Sequence, residues 1–223
     1  RLADGQEMLQ SIIDLFAGNQ SALNELAYEA ITHPDLFKDI SIPLAWIDAQ
    51  YEQRSGYIDL GNSEVLNLTH AITIEGWFYH RSNGGLVSKG GAFADDGYGI
   101  TIGFQSGDFR FELQNTGLKE KIMADAALPR NRAWRHLAAT WDIKTREVIL
   151  YIDGVRQQTT AFYNGPIGVT SQSLNLGRNE RVGNRYCNAG FSEFRIWNRA
   201  RTAEEILQTM NTRLRGDEPS LVG

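Results

Sequence analysis

Apolar residues in most of the chain recur at alternate positions, or in short runs bounded by Gly, Asn and Asp, instead of at helical spacing. The stretch Ala133–Gln157 shows this best. Its runs Trp134–Trp141 and Glu147–Ile152 are rich in β-branched, aromatic and aliphatic residues, the composition of strands. In an extended first run, Trp134, His136, Ala138 and Thr140 share one face, and Arg135, Leu137, Ala139 and Trp141 share the other. The second run is apolar on both faces, because Val148, Leu150 and Ile152 interleave with Ile149 and Tyr151. That pattern suits the middle of a layered sandwich. Asp153-Gly154 then supplies the positive-φ pair of a type I′ hairpin turn. Further strands are predicted within Ser41–Ala49, Gly99–Phe104, Asp108–Gln114 and Ser173–Leu176. No helical pattern separates them, which excludes a doubly wound α/β fold.

Helical spacing is confined to the ends. Met8, Leu9, Ile12, Ile13 and Phe16 form a stripe on a predicted helix Asp4–Ala17, with Asp4 and Glu7 as a capping box and Gly18 beyond its end. A second helix over Ser21–Ile31 stops at His33-Pro34. The pair predicts a helical hairpin within residues 1–40, an extension packed on the sandwich or on a neighbouring domain. A dimerisation or partner-binding role for it is the alternative.

The ordered strings Gly56-Tyr57-Ile58-Asp59-Leu60, Ile72-Thr73-Ile74-Glu75-Gly76-Trp77-Phe78, Leu86-Val87-Ser88-Lys89-Gly90, Trp134–Asp142 with Leu150–Gly154, and Phe191–Thr202 resemble, in that order, the strands of laminin-G-like, concanavalin A-like jelly-roll domains. The resemblance implies an all-β fold, an antiparallel two-sheet jelly-roll sandwich over residues 41–212. It also implies a short helix Ala203–Met210, and in residues 213–223 a connector to a further module. It further implies a non-catalytic recognition module of a multidomain, secreted or cell-surface protein, binding glycans or a protein surface. A structural or assembly domain, and a glycoside hydrolase relative, are the alternatives. Neighbouring modules of the same chain are expected partners, and Arg215-Gly216-Asp217 is read as a chance tripeptide within the connector.

Charge narrows the partners. Residues 1–50 hold eight acidic and two basic side chains, a balance of −6, whereas residues 51–223 hold nineteen and twenty, a balance of +1. A near-neutral sandwich with an acidic appendage does not point to nucleic acid, and no run is long and apolar enough for membrane insertion. Cys187 is alone, so no internal disulfide forms.

Catalytic signatures are missing. Jelly-roll glucanases alternate carboxylates along one strand so that a pair flanks the scissile bond, and no strand here carries that pattern. The histidines at 33, 70, 80 and 136 are scattered, and His136 reads as a hydrogen-bonded core residue. No cofactor is required. Calcium is a candidate that the resemblance implies, through Asp59 and Glu193; the loop pair Asp95 and Asp96 is a separate candidate site, with a solvated turn as the alternative. However, Gln53–Gly56 and Ser192 stand where relatives place aspartates, so the charged ligands calcium needs are partly lost. Two loop groups have the composition of sugar sites. One is Lys89 with Asp95, Asp96 and Tyr98. The other is Arg178, Asn179, Arg181, Asn184, Arg185 and Tyr186, which is basic and suits an acidic or sulfated sugar, or an acidic protein surface.

Overall fold

The computed structural model describes residues 45–47, 49–50, 54–55, 57–80, 82–90, 96–102, 108–129, 133–158, 161–179 and 185–223. The predicted helical hairpin within residues 1–40 lies outside them. The described chain forms an antiparallel jelly-roll sandwich of two principal sheets. The large sheet runs β1 (Ala45–Ile47), β17 (Ala189–Trp197), β5 (Ala71–His80), β10 (Arg135–Asp142), β11 (Glu147–Ile152), β12 (Val155–Arg156), with β13 (Ala161–Phe162) also paired to β11. The small sheet runs β4 (Ile58–Asp59), β14 (Leu174–Leu176), β6 (Gly84–Gly90), β7 (Gly97–Ile102), β8 (Phe109–Asn115), β9 (Glu120–Ala126). Short ladders join β15 (Arg178–Asn179) to β16 (Arg185–Tyr186) and β2 (Ala49–Gln50) to β3 (Arg54–Ser55). Helix α1 spans Ala203–Thr209.

The alternation read from the sequence sets the layers. Leu137, Ala139, Trp141, Val148, Leu150 and Ile152 point into the core, where they meet Tyr98, Ile100, Phe109, Phe111 and Leu113 of the small sheet. The opposite faces of β10 and β11 present Ala138, Ile149 and Tyr151 to Ile206 of α1. Strand β11 is therefore covered on both sides, as its two apolar faces require. Asp153 (φ 51°) and Gly154 (φ 76°) close the β11–β12 turn, with Ile152 opposite Val155. The Asp153 carboxylate also accepts from the His136 amide at 3.0 Å and from Arg135 at 2.6 Å, which ties the turn to β10.

A buried polar cluster anchors α1. Thr202 and Glu205 form its capping box. At its other end, Trp77 donates to the Met210 carbonyl at 2.7 Å, and Arg195 to the carbonyls of Thr209, at 2.9 Å, and Thr212. These bonds satisfy carbonyls that a helix end leaves unpaired. Glu75 pairs with Arg201 and accepts from Trp197 at 2.7 Å, and the Arg201 guanidinium lies 4.2 Å from the Trp197 ring centroid. His136 lies alongside, fully buried, but neither ring nitrogen has a hydrogen-bond partner. The sequence expectation of a hydrogen-bonded ring is thus corrected: Nε2 lies 3.8 Å from Glu75 Oε2, too far for a bond. Burial, with Arg195 and Arg201 nearby, pushes the imidazole down to about 3, so it stays neutral.

Residues expected to act as a connector fold back on this domain. Leu221 bridges Trp197, Asn198 donates to the Ser220 carbonyl, and Val222 packs against the core. Beta-strand β17 therefore carries β1 along Ala189–Phe191 and the tail along Ile196–Asn198, on one edge. Arg215-Gly216-Asp217 forms an exposed turn, with the Glu218 carboxylate accepting from the amides of Arg215 at 2.7 Å and Gly216 at 2.9 Å.

Candidate functional site

The outer face of the small sheet is where polar side chains gather. Strand β8 alternates strictly, with Phe109, Phe111 and Leu113 in the core and Arg110, Glu112 and Gln114 turned out. Strand β7 likewise sends Tyr98, Ile100 and Ile102 inward, leaving Gly97, Gly99 and Thr101 outside. Register aligns one outward row across all six strands: Asp59, Asn175, Ser88, Gly99, Glu112 and Met123. The middle of the row is built from small residues, and longer ones stand on β8 and β9. A side chain on Gly99 would strike the Val87 carbonyl, its Cβ meeting that oxygen at 2.7 Å beside the β6 bulge. The strand geometry thus excludes a side chain at the centre of this row, whose residues Asn175, Ser88 and Glu112 are themselves buried.

The β15–β16 ladder borders this face. It packs on the start of β6, where a Cβ on Gly85 would lie 2.6 Å from the Asn179 amide nitrogen. Ser88 donates to the Arg178 carbonyl at 2.7 Å. The Arg178 guanidinium stacks 3.9 Å from the centroid of Tyr57, and the Tyr57 and Tyr186 rings are 6.4 Å apart. Tyr57 is 38% exposed, so an aromatic and cationic wall rises beside the polar floor.

Floor polar groups are sunk and incompletely satisfied. Asn175 is 1% exposed and Gln114 8%, yet Asn175 Oδ1 and Gln114 Oε1 have no hydrogen-bond partner. A buried carbonyl oxygen left unpaired costs about 1–3 kcal/mol, so two on one face form an unusual concentration of unmet acceptors. Glu112 is 4% exposed, and burial raises its carboxyl above the ordinary 4.5 despite Lys121, Arg110 and a hydrogen bond from Thr101. Arg110 holds Asp125 in a bidentate pair at 2.6 and 3.0 Å.

The sequence-predicted residues divide. Arg178, Asn179 and Tyr186 are brought together at the wall. Arg181, Asn184 and Asp95, with the side chain of Arg185, lie outside the described residues. Lys89 and Tyr98, predicted as ligand contacts, are instead directed to the core side. Lys89 donates to the Gln172 carbonyl at 2.9 Å and to Asn62 Oδ1, and Tyr98 donates to the Leu66 carbonyl at 2.9 Å. Burial lowers the Lys89 ammonium and raises the Tyr98 phenol. Asp96 is committed to the β8–β9 turn, accepting from the Thr116 amide at 2.6 Å and its hydroxyl at 2.9 Å. The predicted calcium carboxylates are likewise dispersed: Asp59 caps the Gly61 amide at 2.8 Å on the small sheet, and Glu193 pairs with Arg195 at 2.9 Å on the large one. Among the described residues no three His, Cys, Asp or Glu side chains gather to hold a metal ion. Sequence reasoning missed Tyr57, Asn175, Glu112 and Gln114. The alternation of Phe109–Gln114 was the available signal for the last two.

Comparison with known proteins follows the fold. No curated protein sequence matches the chain. Among solved structures, it is similar to a candidate carbohydrate-binding protein from Bacteroides ovatus ATCC 8483, at 20% identity and a TM-score of 0.57, over 74% of this chain and 47% of that one. It is similar to the heptameric SAP-like pentraxin of Limulus polyphemus at 14% identity and a TM-score of 0.56, over 80% and 89% of the two chains. It is also similar to the binding domain of botulinum neurotoxin DC, solved with rat synaptotagmin II, at 13% identity and a TM-score of 0.59, over 80% and 45%. The chain thus spans about half the length of the first and third. The model of the laminin G-like family matches residues 52–207, and on that match the chain belongs to the concanavalin A-like lectin/glucanases superfamily.

Proposed function

We propose that this domain is a non-catalytic recognition module that binds the hydroxyls of a glycan on the outer face of the small sheet. The observation that carries the reading is the pair of buried, unpartnered acceptors Asn175 Oδ1 and Gln114 Oε1 on that face. Such atoms need donors, and sugar hydroxyls supply them. The Tyr57–Arg178–Tyr186 wall offers the aromatic surface that sugar rings stack on. A protein surface is the second ligand class, favoured by the toxin binding domain solved with synaptotagmin II.

The carboxylates support binding over hydrolysis. A retaining glycosidase holds two carboxyl groups about 5 Å apart across the scissile bond. Among the described residues Glu112 is the only carboxylate facing out from β14, β6, β7 and β8, and Asp125 on β9 is bound to Arg110. No cofactor enters the reading, and calcium is not required for it. A secreted or cell-surface setting, with neighbouring modules as partners, belongs to the same proposal. The test is a glycan array probed with the intact chain, with calcium and with chelator. Expected is binding to a defined set of glycans that persists in chelator and is lost in Asn175→Ala and Gln114→Ala. Binding that both variants retain would remove the site from this face.

A further inference from the structure

We propose that β9 is an interface for a second copy of this chain, the two strands pairing antiparallel about a twofold axis at Met123 so that two small sheets join edge to edge. Strand β9 ends the small sheet, paired to β8 on one side and to no described strand on the other. It has seven residues, whereas the described strands at the other sheet margins, β4, β12, β13 and β1, have two or three each. A long edge is a template for another strand, and natural sheets blunt such edges with proline, bulges or repelling charges. Strand β9 has no proline or glycine, and its ladder with β8 runs through all seven positions without a bulge. At its middle, Met123 is a large apolar side chain 39% exposed on the outer face.

The charges of β9 complement those of its own copy. Lys121, Met123 and Asp125 share the outer face, beside Gln114, Glu112 and Arg110 of β8. An antiparallel copy centred on Met123 sets Lys121 opposite the partner's Asp125, Met123 opposite the partner's Met123, and Ile122 opposite the partner's Ala124. Opposite charges directly across two strands stabilise the pair, and like charges oppose it. The outer row then continues across the axis with alternating sign, from Arg110 through Asp125 to the partner's Lys121. Asp125 keeps its two bonds to Arg110, and a carboxylate has acceptor sites for a lysine as well. An in-register parallel copy would instead set each charge against itself, which selects the antiparallel arrangement. The contact is isologous, so it closes as a dimer and does not propagate. A twofold axis perpendicular to the sheet leaves both outer faces on one side, so the dimer presents two polar floors in the same direction. The interface does not depend on what those floors bind.

The experiment is sedimentation equilibrium of the intact chain across micromolar concentrations, with Met123→Lys and Lys121→Asp beside it. Expected is twice the chain mass for the wild type and a fall to single-chain mass in both variants, which set like charges opposite each other across the axis. Neither position is buried, and circular dichroism checks that the variants are folded. Met123→Cys reads the register, because its thiol faces its own copy and should link the two chains under mild oxidation. Leu118→Cys, 53% exposed but in the β8–β9 turn away from the axis, should not. Cys187 is fully buried and does not compete. Single-chain mass for the wild type at every concentration would overturn the dimer. A doubled mass that Met123→Lys or Lys121→Asp retains, or linkage through Leu118→Cys and not Met123→Cys, would overturn the assignment of β9 as its interface.

Discussion

Replacing Gln114 with methionine separates stability from recognition. The side chain is 8% exposed, and its carbonyl oxygen has no hydrogen-bond partner. Folding therefore takes that oxygen out of water without compensation, at about 1–3 kcal/mol. Methionine keeps the length and flexibility of the side chain and replaces the amide with a thioether. The strand is otherwise undisturbed, because the Gln114 backbone carbonyl still accepts from the Gly168 amide at 2.9 Å. Gln114→Met should raise the free energy of unfolding by about 1 kcal/mol, the lower end of that range. For a domain of this size the midpoint of thermal unfolding should rise roughly 2–4 °C. Urea denaturation followed by tryptophan fluorescence reads the first quantity and a calorimetric scan the second. Glycan binding should fall in the same variant. Such opposition between stability and function marks a site selected for its ligand. A loss of 1 kcal/mol or more would refute the reasoning, because the amide oxygen would then have a partner inside the fold.

Two further predictions concern the cluster under α1. Glu75→Ala leaves the buried Arg201 without its counter-ion, while Arg195 keeps Glu193, and should destabilise the domain by about 3–5 kcal/mol in urea unfolding; a loss under 1 kcal/mol would mean that α1 does not seal the cluster. His136, held down at about 3, binds its proton far less readily folded than unfolded. Its contribution is complete above the ordinary 6.5 and is lost as pH falls toward 3, by about 2–3 kcal/mol between pH 7 and pH 4.5. His136→Asn should flatten that part of the stability profile, and an unchanged slope would show that the imidazole reaches water.

Much of the fold was legible because its local signals agree. The alternation of Trp134–Trp141 divided β10 into the two faces that the sandwich uses, Leu137, Ala139 and Trp141 lying in the core, Asp153-Gly154 named the turn, and the predicted Ala203–Met210 helix matches α1 to within a residue. Strand β9 and the β15–β16 ladder were not anticipated. The first mixes charged and apolar residues, and the second is only two residues to a strand. The candidate site was less legible, for a geometric reason. In β6 three of seven residues are glycine, so the sequence offers little alternation from which to read a face. A bulge between Gly85 and Val87 then shifts the parity. Lys89 looked like a surface contact on composition, whereas pairing with Tyr98 turns it toward the core. Asn175 and Glu112 become neighbours of one surface only through the pairings of β14, β6, β7 and β8, and Tyr57 meets Arg178 across most of the domain's sequence. No local pattern contains that information.

The shared edge of β17 bears on how the chain could be rewired. The tail and β1 both run antiparallel to β17, and in the same direction, the tail ending opposite Ile196 and β1 starting opposite Phe191. They form one edge strand interrupted beside the Ser192–Arg195 bulge. At about 3.3 Å per residue that interruption is roughly 15 Å, within reach of a linker of about five residues. A linker of that length from Gly223 to Ala45 should therefore turn the edge beside β17 into one continuous strand, and the exposed Lys144–Arg146 turn offers a place for new chain ends.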